Sequence, residues 1–190
     1  MPLRIESTHL NGLAVIVPEV FEDQRGFFME TYRADQFRAL GLPTDFLQDN
    51  HSRSARNVLR GLHFQYDPAM GKLMRVTLGT AYLMAADIRK GSPTLGQWYG
   101  IEVSAESKLQ VWAPAGFARG FCVLSEHAEI QYKCTAIYNP RAESGILWSD
   151  PALGIEWPVK EPILSAKDAK AQTLAQWLES PASEHFRYGG

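Results

Sequence analysis

The stretch KLMRVTLGTAYLMAADIR, from Lys72 to Arg89, is a long apolar run rich in residues that favour β-strands, and the turn-forming sequence KGSPTLG follows it directly. Similar runs occur along most of the chain, and turn signals such as DQRG and YNP separate them. They are LAVIVPEVF, GFFMETY, NVLRGLHFQ, QWYGIEVS, KLQVWAPAGFARGFCVL and AEIQYKCTAIY. This spacing predicts an all-β sandwich or barrel.

The alternation of side chains along two of these runs predicts which residues face the interior. In EIQYKCT, Ile130, Tyr132 and Cys134 share one face and the residues between them are polar, so Tyr132 is expected to point inward. In KLMRVTL, Lys72 is in phase with the apolar Met74. This lysine either heads the interior face or extends from the strand end into water, and the pattern leaves both possibilities open.

Helical periodicity is limited to two segments. Arg33–Gly41 reads as a short helix that stops at glycine, and Ser165–Leu178 reads as a C-terminal helix with a serine cap and with Leu174 and Trp177 on one face. No repeat or flexible linker divides the 190 residues, of which 45% are hydrophobic. We therefore expect a single domain that spans residues 1–190.

Charge and composition exclude several classes of function. The formal net charge is −2, so the chain has no overall basic field for nucleic acid. The first residues, MPLRIESTHLNG, lack the apolar run of a secretory signal, and no segment approaches the roughly 18 apolar residues of a membrane helix. The sequence predicts a cytoplasmic protein without a nucleic-acid or membrane partner, in which Cys122 and Cys134 are reduced core residues.

The histidine of HFQ, His63, lacks the companions that a metal site on a small β-barrel needs. Such sites use a His-x-His pair, whereas Gln65 stands in the second position here. The sequence PAGFARGF is similar to a second metal-ligand motif of the cupin superfamily, Pro-x-Gly-x-x-His, but Arg119 replaces its histidine. We therefore expect no metal. A lone imidazole suits proton transfer, although a hydrogen-bonded structural histidine is the commoner case.

A series of motifs, in order from about Phe21 to Asp168, resembles the dTDP-4-dehydrorhamnose 3,5-epimerases. They are FEDQRGFFMETY, QDNHSRS, VLRGLHFQ, GKLMRV, DIRKGSPTLGQW, PAGFARGF, YKCTAIYNP, LWSDPALGIEWP and LSAKD. The resemblance implies a cupin-type jelly roll with a few short helices and a homodimer that needs no cofactor. It also implies a dTDP-linked 4-keto-6-deoxyhexose as substrate, in the pathway to dTDP-L-rhamnose.

The same resemblance implies a role for individual residues. His63 would be the catalytic base, Asp168 its orienting partner, Tyr132 the general acid, Lys72 the cation near the keto oxygen, and Tyr138 the ring that stacks on thymine. Further nucleotide-sugar positions are Arg25, Glu30, Gln48, Asn50, Arg60, Glu143 and Lys167. A hydrogen next to a ketone is only weakly acidic, so a base and a cation at the oxygen are the chemistry that its removal requires.

Arg119 is the departure from the family, which has histidine in GFAHGF where this chain has GFARGF. Arginine keeps a cation and donors at this substrate-binding position, but it is larger and is not a base near neutral pH. Three interpretations follow: epimerisation at C3 and C5, a mono-epimerase or ketoisomerase acting on a related sugar, and a non-catalytic nucleotide-sugar binding protein. The presence of His63, Lys72, Tyr132 and Asp168 together argues against the third.

Overall fold

Two antiparallel β-sheets face each other across the main hydrophobic core. The computed structural model describes residues 3–189, and thirteen strands occur within that range. In chain order they are β1 (Arg4–His9), β2 (Leu13–Val17), β3 (Val20–Asp23), β4 (Gly26–Met29), β5 (Gln48–Ala55), β6 (Leu59–Gln65), β7 (Lys72–Leu78), β8 (Thr80–Asp87), β9 (Trp98–Ser104), β10 (Gln110–Ala113), β11 (Phe117–Val123), β12 (His127–Cys134) and β13 (Glu143–Gly145).

The order of the strands within the sheets differs from their order in the chain. The six-stranded sheet has the order β1-β2-β10-β7-β12-β5, and the five-stranded sheet has the order β13-β6-β11-β8-β9. Strands β3 and β4 form a separate hairpin. The paired strands are antiparallel, with β7 between β10 and β12 and β11 between β6 and β8. This architecture confirms the predicted cupin-type all-β fold.

Apolar side chains from both sheets meet in the space between them. Met74 of β7 and Ile130 of β12 belong to the same buried cluster as Leu83 of β8 and Phe121 of β11. The inward position of Ile130 follows the alternation read from EIQYKCT, because successive side chains of a strand point to opposite faces. Cys122 and Cys134 are buried free thiols, as the sequence predicted.

The N-terminal helix agrees with the one predicted from the sequence, whereas the C-terminal helix differs from its prediction. Helix α1 (Ala34–Ala39) lies within the predicted Arg33–Gly41 segment, and Gly41 follows it with a positive φ of 71°. The single helix predicted for Ser165–Leu178 is wrong. That segment contains a 3₁₀ turn at Asp168–Lys170 and helix α2 (Leu174–Glu179).

The two C-terminal pieces are separate because residues between them are extended and because α2 has its own cap. Ala171 has φ −63° and ψ 156°, which interrupts any helix that would continue from the 3₁₀ turn. Thr173 and Gln176 then form a capping box, so the helix starts at Leu174. The predicted apolar face is present, since Leu174 and Trp177 are both buried.

The chain after α2 is packed against the five-stranded sheet. It forms a 3₁₀ helix at Pro181–His185, and Phe186 is buried beside Phe64 and Trp177. The backbone N–H of Lys90 donates to the carbonyl of Phe186 at 2.8 Å. In the part of the chain that the structure describes, no helix has the length and apolar character needed to cross a membrane.

Candidate active site

A cavity of about 260 Å³ beside the core is lined by ionisable side chains from both sheets. Three of the predicted catalytic residues line it, namely His63, Lys72 and Tyr132, together with Arg60 and Glu143. The other lining residues are Ser52, Met74, Arg119, Gly120, Phe121 and Ile130. Strands β6 and β11 therefore supply one wall, and β5, β7 and β12 supply the facing wall.

A glycine before His63 allows β6 to approach β11 closely. Gly61 has φ +139°, and a Cβ at this position would lie 2.6 Å from the Cα of Gly120. The pairing of β6 with β11 changes register here, as at a β-bulge or a similar irregularity. Beyond the irregularity His63 lies directly opposite Arg119, which puts both side chains on the cavity wall.

His63 forms a short hydrogen bond with Asp168, 105 residues later in the chain. The Nε2 of His63 lies 2.6 Å from Oδ1 of Asp168, and the side chain of Asp168 is only 5% exposed. A carboxylate can only accept, so the ring proton is on Nε2 and the lone pair is on Nδ1. This arrangement orients the ring and places a negative charge where an imidazolium would form.

Several contacts keep Asp168 ionised in spite of its burial. Burial alone would raise the pKa of Asp168, but hydrogen bonds from His63, from Ser165 and from the backbone of Gly61 outweigh it and lower the pKa. The backbone N–H of Asp168 also donates to Oγ of Ser165 at 3.1 Å. The carboxylate is therefore charged near neutral pH and is fixed from both sides.

Lys72 and Tyr132 face the same cavity from neighbouring strands of the six-stranded sheet. The Nζ of Lys72 lies 4.8 Å from the centroid of the Tyr132 ring. Burial, and then the charge of Arg119, lower the pKa of Lys72 to about 8, so most of the ammonium remains charged at pH 7. Burial raises the pKa of Tyr132, which keeps its phenol protonated. The pair offers one cation and one proton donor.

Five predicted nucleotide-sugar residues form a hydrogen-bonded chain at the edge of the cavity. Oε2 of Glu143 accepts from Nζ of Lys167 at 2.5 Å and from the hydroxyl of Tyr138 at 2.8 Å. The backbone N–H of Tyr138 donates to Oε1 of Gln48, whose amide donates to Oδ1 of Asn50. The Tyr138 ring is half exposed, so one face is accessible to a planar ligand.

The two predicted arginines of the cavity have different surroundings. Arg60 donates from Nε to Oγ of Ser54 at 3.1 Å. Arg119 is 3% exposed, and its Nη1 donates to the carbonyl of Met70 at 2.8 Å. Burial lowers the pKa of Arg119 to about 10, so the guanidinium is still charged at neutral pH.

Arg25 and Glu30 do not line this cavity. Arg25 lies in the turn of the β3–β4 hairpin, where its Nη2 is 2.6 Å from Oδ2 of Asp23, and its side chain is 86% exposed. Glu30 follows the hairpin and accepts from Nη1 of Arg33 at 3.3 Å. Within one chain these two residues therefore have no place beside His63.

Sequence reasoning missed the support that Ser165 gives to Asp168 and most of the apolar wall. Ser165 was interpreted as a helix cap, and its hydroxyl does accept from the backbone N–H of Asp168, which is the bond that a cap makes. The sequence did not show that this bond also holds the partner of His63 in place. Met74, Phe121 and Ile130 form the apolar side of the cavity. The phase of Met74 and Ile130 with Lys72 and Tyr132 along their strands was the signal that could have found two of them.

The surroundings of His63 do not resemble those of a metal ligand. Within residues 3–189 no three side chains of the His, Cys, Asp or Glu type lie close enough to hold a metal ion. The cavity instead brings together three cations, Arg60, Lys72 and Arg119, and a single carboxylate, Glu143, and an excess of positive charge repels a divalent cation. That the protein needs neither metal nor cofactor stays a prediction.

Comparison with known proteins identifies the group of enzymes to which this site corresponds. The family model described as dTDP-4-dehydrorhamnose 3,5-epimerase matches residues 7–176. The chain belongs to this epimerase family. A dTDP-4-dehydrorhamnose 3,5-epimerase from Salmonella typhimurium is 53% identical over 174 residues, which are 90% of this chain and 95% of the relative. The assignment made from the motifs, to an isomerase of this family, is confirmed.

One solved structure and a second relative show what similar proteins bind and catalyse. A dTDP-6-deoxy-D-glucose-3,5-epimerase from Legionella pneumophila, in complex with dTDP-4-keto-L-rhamnose, matches with a TM-score of 0.92 and 45% identity and covers 99% of this chain and 100% of its own. A dTDP-4-dehydrorhamnose 3-epimerase from Streptomyces niveus is 36% identical over 176 residues, 92% of this chain and 85% of the relative. Double and single epimerases of this family therefore both resemble the chain.

Proposed function

We propose that the protein catalyses the cofactor-independent epimerisation of dTDP-4-dehydro-6-deoxy-D-glucose at C3 and C5, which gives dTDP-4-dehydro-L-rhamnose. The observation that supports it most is the arrangement of the cavity. A base held by a buried carboxylate, a cation and a protonated phenol line the same 260 Å³ space. These are the groups that proton removal and return next to a ketone require.

The proposed reaction begins with His63. Its Nδ1 takes the proton from the carbon next to the C4 ketone, the C–H electron pair forms the C=C bond of an enolate, and the C=O electrons move to the oxygen. Lys72 stabilises that oxyanion, and Asp168 stabilises the imidazolium. Tyr132 then donates its phenolic proton to the opposite face of the carbon. Exchange with water returns both residues to their starting protonation, so the net change is inversion alone.

The remainder of the substrate fits the polar edge of the site. Tyr138 presents an exposed aromatic face for the thymine ring, and Arg60 supplies a guanidinium suited to a diphosphate.

A cytoplasmic location also remains part of the proposal, and two free buried thiols are consistent with a reducing compartment.

The identity of the product tests this function directly. Wild-type protein incubated in D₂O with dTDP-4-dehydro-6-deoxy-D-glucose should give a sugar inverted at C3 and C5, with one deuterium at each carbon by NMR. The same result is expected after treatment with a chelator, because every step is assigned to protein side chains. Recovery of unlabelled starting material, with dTDP still bound by the protein, would support a binding protein instead.

Inversion at one carbon only is the second candidate function, and the size and position of Arg119 favour it. Its side chain is larger than the histidine of the family motif and lies opposite His63 in the cavity. If its bulk prevents the sugar from presenting the second carbon to His63, the product carries deuterium at one carbon only. We favour double inversion, because the Arg119 guanidinium is held against the wall by the carbonyl of Met70.

We also propose that the working unit is a homodimer in which the β3–β4 hairpin of one copy completes the cavity of the other. In this hairpin Phe27 is 55% exposed to solvent and Phe28 is 65% exposed, which is unusual for large apolar side chains in adjacent positions. The same segment carries Arg25 and Glu30, the two predicted substrate-binding residues that lie neither in the cavity wall nor at its edge. A second copy would cover the phenylalanines and bring both polar residues to a site.

Mixed dimers test this arrangement. His63→Asn and Arg25→Ala are each expected to be impaired, but co-expression places an intact His63 and an intact Arg25 at one site of every mixed dimer. Random assortment should restore about a quarter of the wild-type sites, since half of the dimers are mixed and each has one intact site. A monomer by gel filtration, or mixed dimers no more active than their parents, would refute the exchange of hairpins.

A further inference from the structure

Arg119 has hydrogen-bonding capacity that the protein itself does not use. Its guanidinium is almost fully buried, with Nη1 donating to the carbonyl of Met70 at 2.8 Å and more weakly to that of Ala113 at 3.5 Å. Its Nε and Nη2 atoms are buried, and neither has a hydrogen-bond partner among residues 3–189. Leaving donors of a buried cation unpaired is costly, so a ligand oxygen that reaches them would be bound favourably.

No carboxylate within the described residues forms an ion pair with Arg119. Asp168 is bonded to His63, and Glu143 is bonded to Lys167 and Tyr138. The positive charge of the guanidinium is therefore uncompensated in a cavity that also contains the ammonium of Lys72. Arg60 is a third cation on this wall and Glu143 is its one carboxylate, so the cavity has an excess of positive charge that favours a ligand group becoming negative there.

The position of Arg119 relative to the base indicates which group that is. Arg119 lies directly opposite His63 on paired antiparallel strands, where Cβ atoms are roughly 4.5–5.5 Å apart. The carbon that loses its proton must lie against His63, and the C4 oxygen is attached to the neighbouring carbon. The Arg119 guanidinium is bonded to the carbonyl of Met70, two residues before Lys72, so its donors extend from beside the base toward the oxygen on which the charge develops.

We propose that Arg119 is a catalytic residue that donates, together with Lys72, to the C4 oxygen of the substrate, so that the enolate is held by two cations. The proposal rests on the epimerase function above and assigns a role that proton transfer by His63 and Tyr132 does not include. Proton removal from C3 and from C5 places the charge on the same oxygen. Loss of Arg119 should therefore slow both exchanges, whereas a residue that merely blocks ring rotation would affect one.

The test measures deuterium uptake at C3 and C5 in wild type, Arg119→Met and Arg119→Gln, with dTDP affinity measured by calorimetry. Both variants should slow uptake at both carbons by about 10²-fold, within the range for loss of one oxyanion donor. The affinity for dTDP should change by less than about threefold, because the nucleotide does not contact the enolate. Arg119→Gln keeps a polar N–H group in the cavity wall, so it decides the question if Arg119→Met does not fold.

Arg75→Met is the matched control. Arg75 lies on β7 but on the face opposite Lys72, where it donates to Oε1 of Gln131, and its loss should leave uptake unchanged. Wild-type uptake rates in folded Arg119→Gln, slowing at one carbon only, or a parallel loss of dTDP affinity would each overturn the oxyanion role. If wild type itself shows no uptake, the epimerase function fails rather than this assignment.

Discussion

His63→Asn is expected to lower deuterium uptake from solvent at both C3 and C5 by roughly 10²–10⁴-fold, the contribution of a positioned general base. Asparagine is smaller and its amide stands where Nδ1 of the ring does, so it keeps a polar group on the cavity wall but does not reach Asp168, which His63 contacts through Nε2. It has no basic nitrogen. The other ionisable side chains of the wall are the cations Arg60, Lys72 and Arg119, the phenol of Tyr132, and Glu143, whose carboxylate is bonded to Lys167 and Tyr138. The measurement is the initial rate of label incorporation, followed by NMR in D₂O at saturating substrate.

Two companion variants make this result specific. His127→Asn should take up deuterium at the wild-type rate. It is the same substitution at a half-exposed histidine that does not line the cavity. The rate of deuterium uptake by Asp168→Asn should lie between the rates of His63→Asn and His127→Asn. The substitution keeps an acceptor for Nε2 of His63 but removes the charge that stabilises the imidazolium. Undiminished uptake by folded His63→Asn would assign the base to another group.

Local patterns in the sequence predicted the directions of side chains within strands. The alternation in EIQYKCT placed Tyr132 inward, and it lines the cavity, because a period of two is a property of the strand itself. The same pattern did not decide the direction of Lys72. A lysine at a strand end can extend to water as easily as into a cavity, and only the facing strands settle which occurs.

Contacts between residues far apart in the chain could not be predicted from periodicity. His63 and Asp168 are separated by 105 residues, and only resemblance to a family joined them before the structure did. The error over the C-terminal helix has the same origin. SAKDAKAQTLAQWL has good helical periodicity, but Asp168 bonds to His63 and Thr173 forms a second cap, so tertiary contacts divide the segment.

The sequence also identified Arg119 as a departure without revealing its surroundings. Replacement of a family histidine by arginine indicated a larger cation at a substrate-binding position and gave it no partner within the protein. The structure instead anchors the guanidinium on the Met70 carbonyl, opposite His63. The difference arises because the backbone carbonyl that binds it comes from the loop before β7, 49 residues away, which no local pattern brings together.

Tyr132→Phe is expected to separate proton removal from inversion. His63 and Lys72 remain in place, so deuterium should still enter at C3 and C5, at a rate within about tenfold of wild type. Without a phenol on the opposite face, the imidazolium must return the deuteron to the side from which it took the proton. Recovered substrate should therefore be labelled with retained configuration, while formation of the inverted sugar falls by roughly 10²-fold or more.

The substitution suits this question because phenylalanine keeps the ring that lies 4.8 Å from Nζ of Lys72, and so keeps the cation–π contact of that ammonium. Tyr82→Phe is the matched control, since Tyr82 packs against Trp157 outside the cavity and its hydroxyl has no part in the proposed reaction. NMR of both substrate and product, taken from the same incubation, separates label entry from change of configuration. If Tyr132→Phe forms the doubly inverted product at the wild-type rate, the proton on the second face comes from water or from another side chain, and the phenol only supports Lys72.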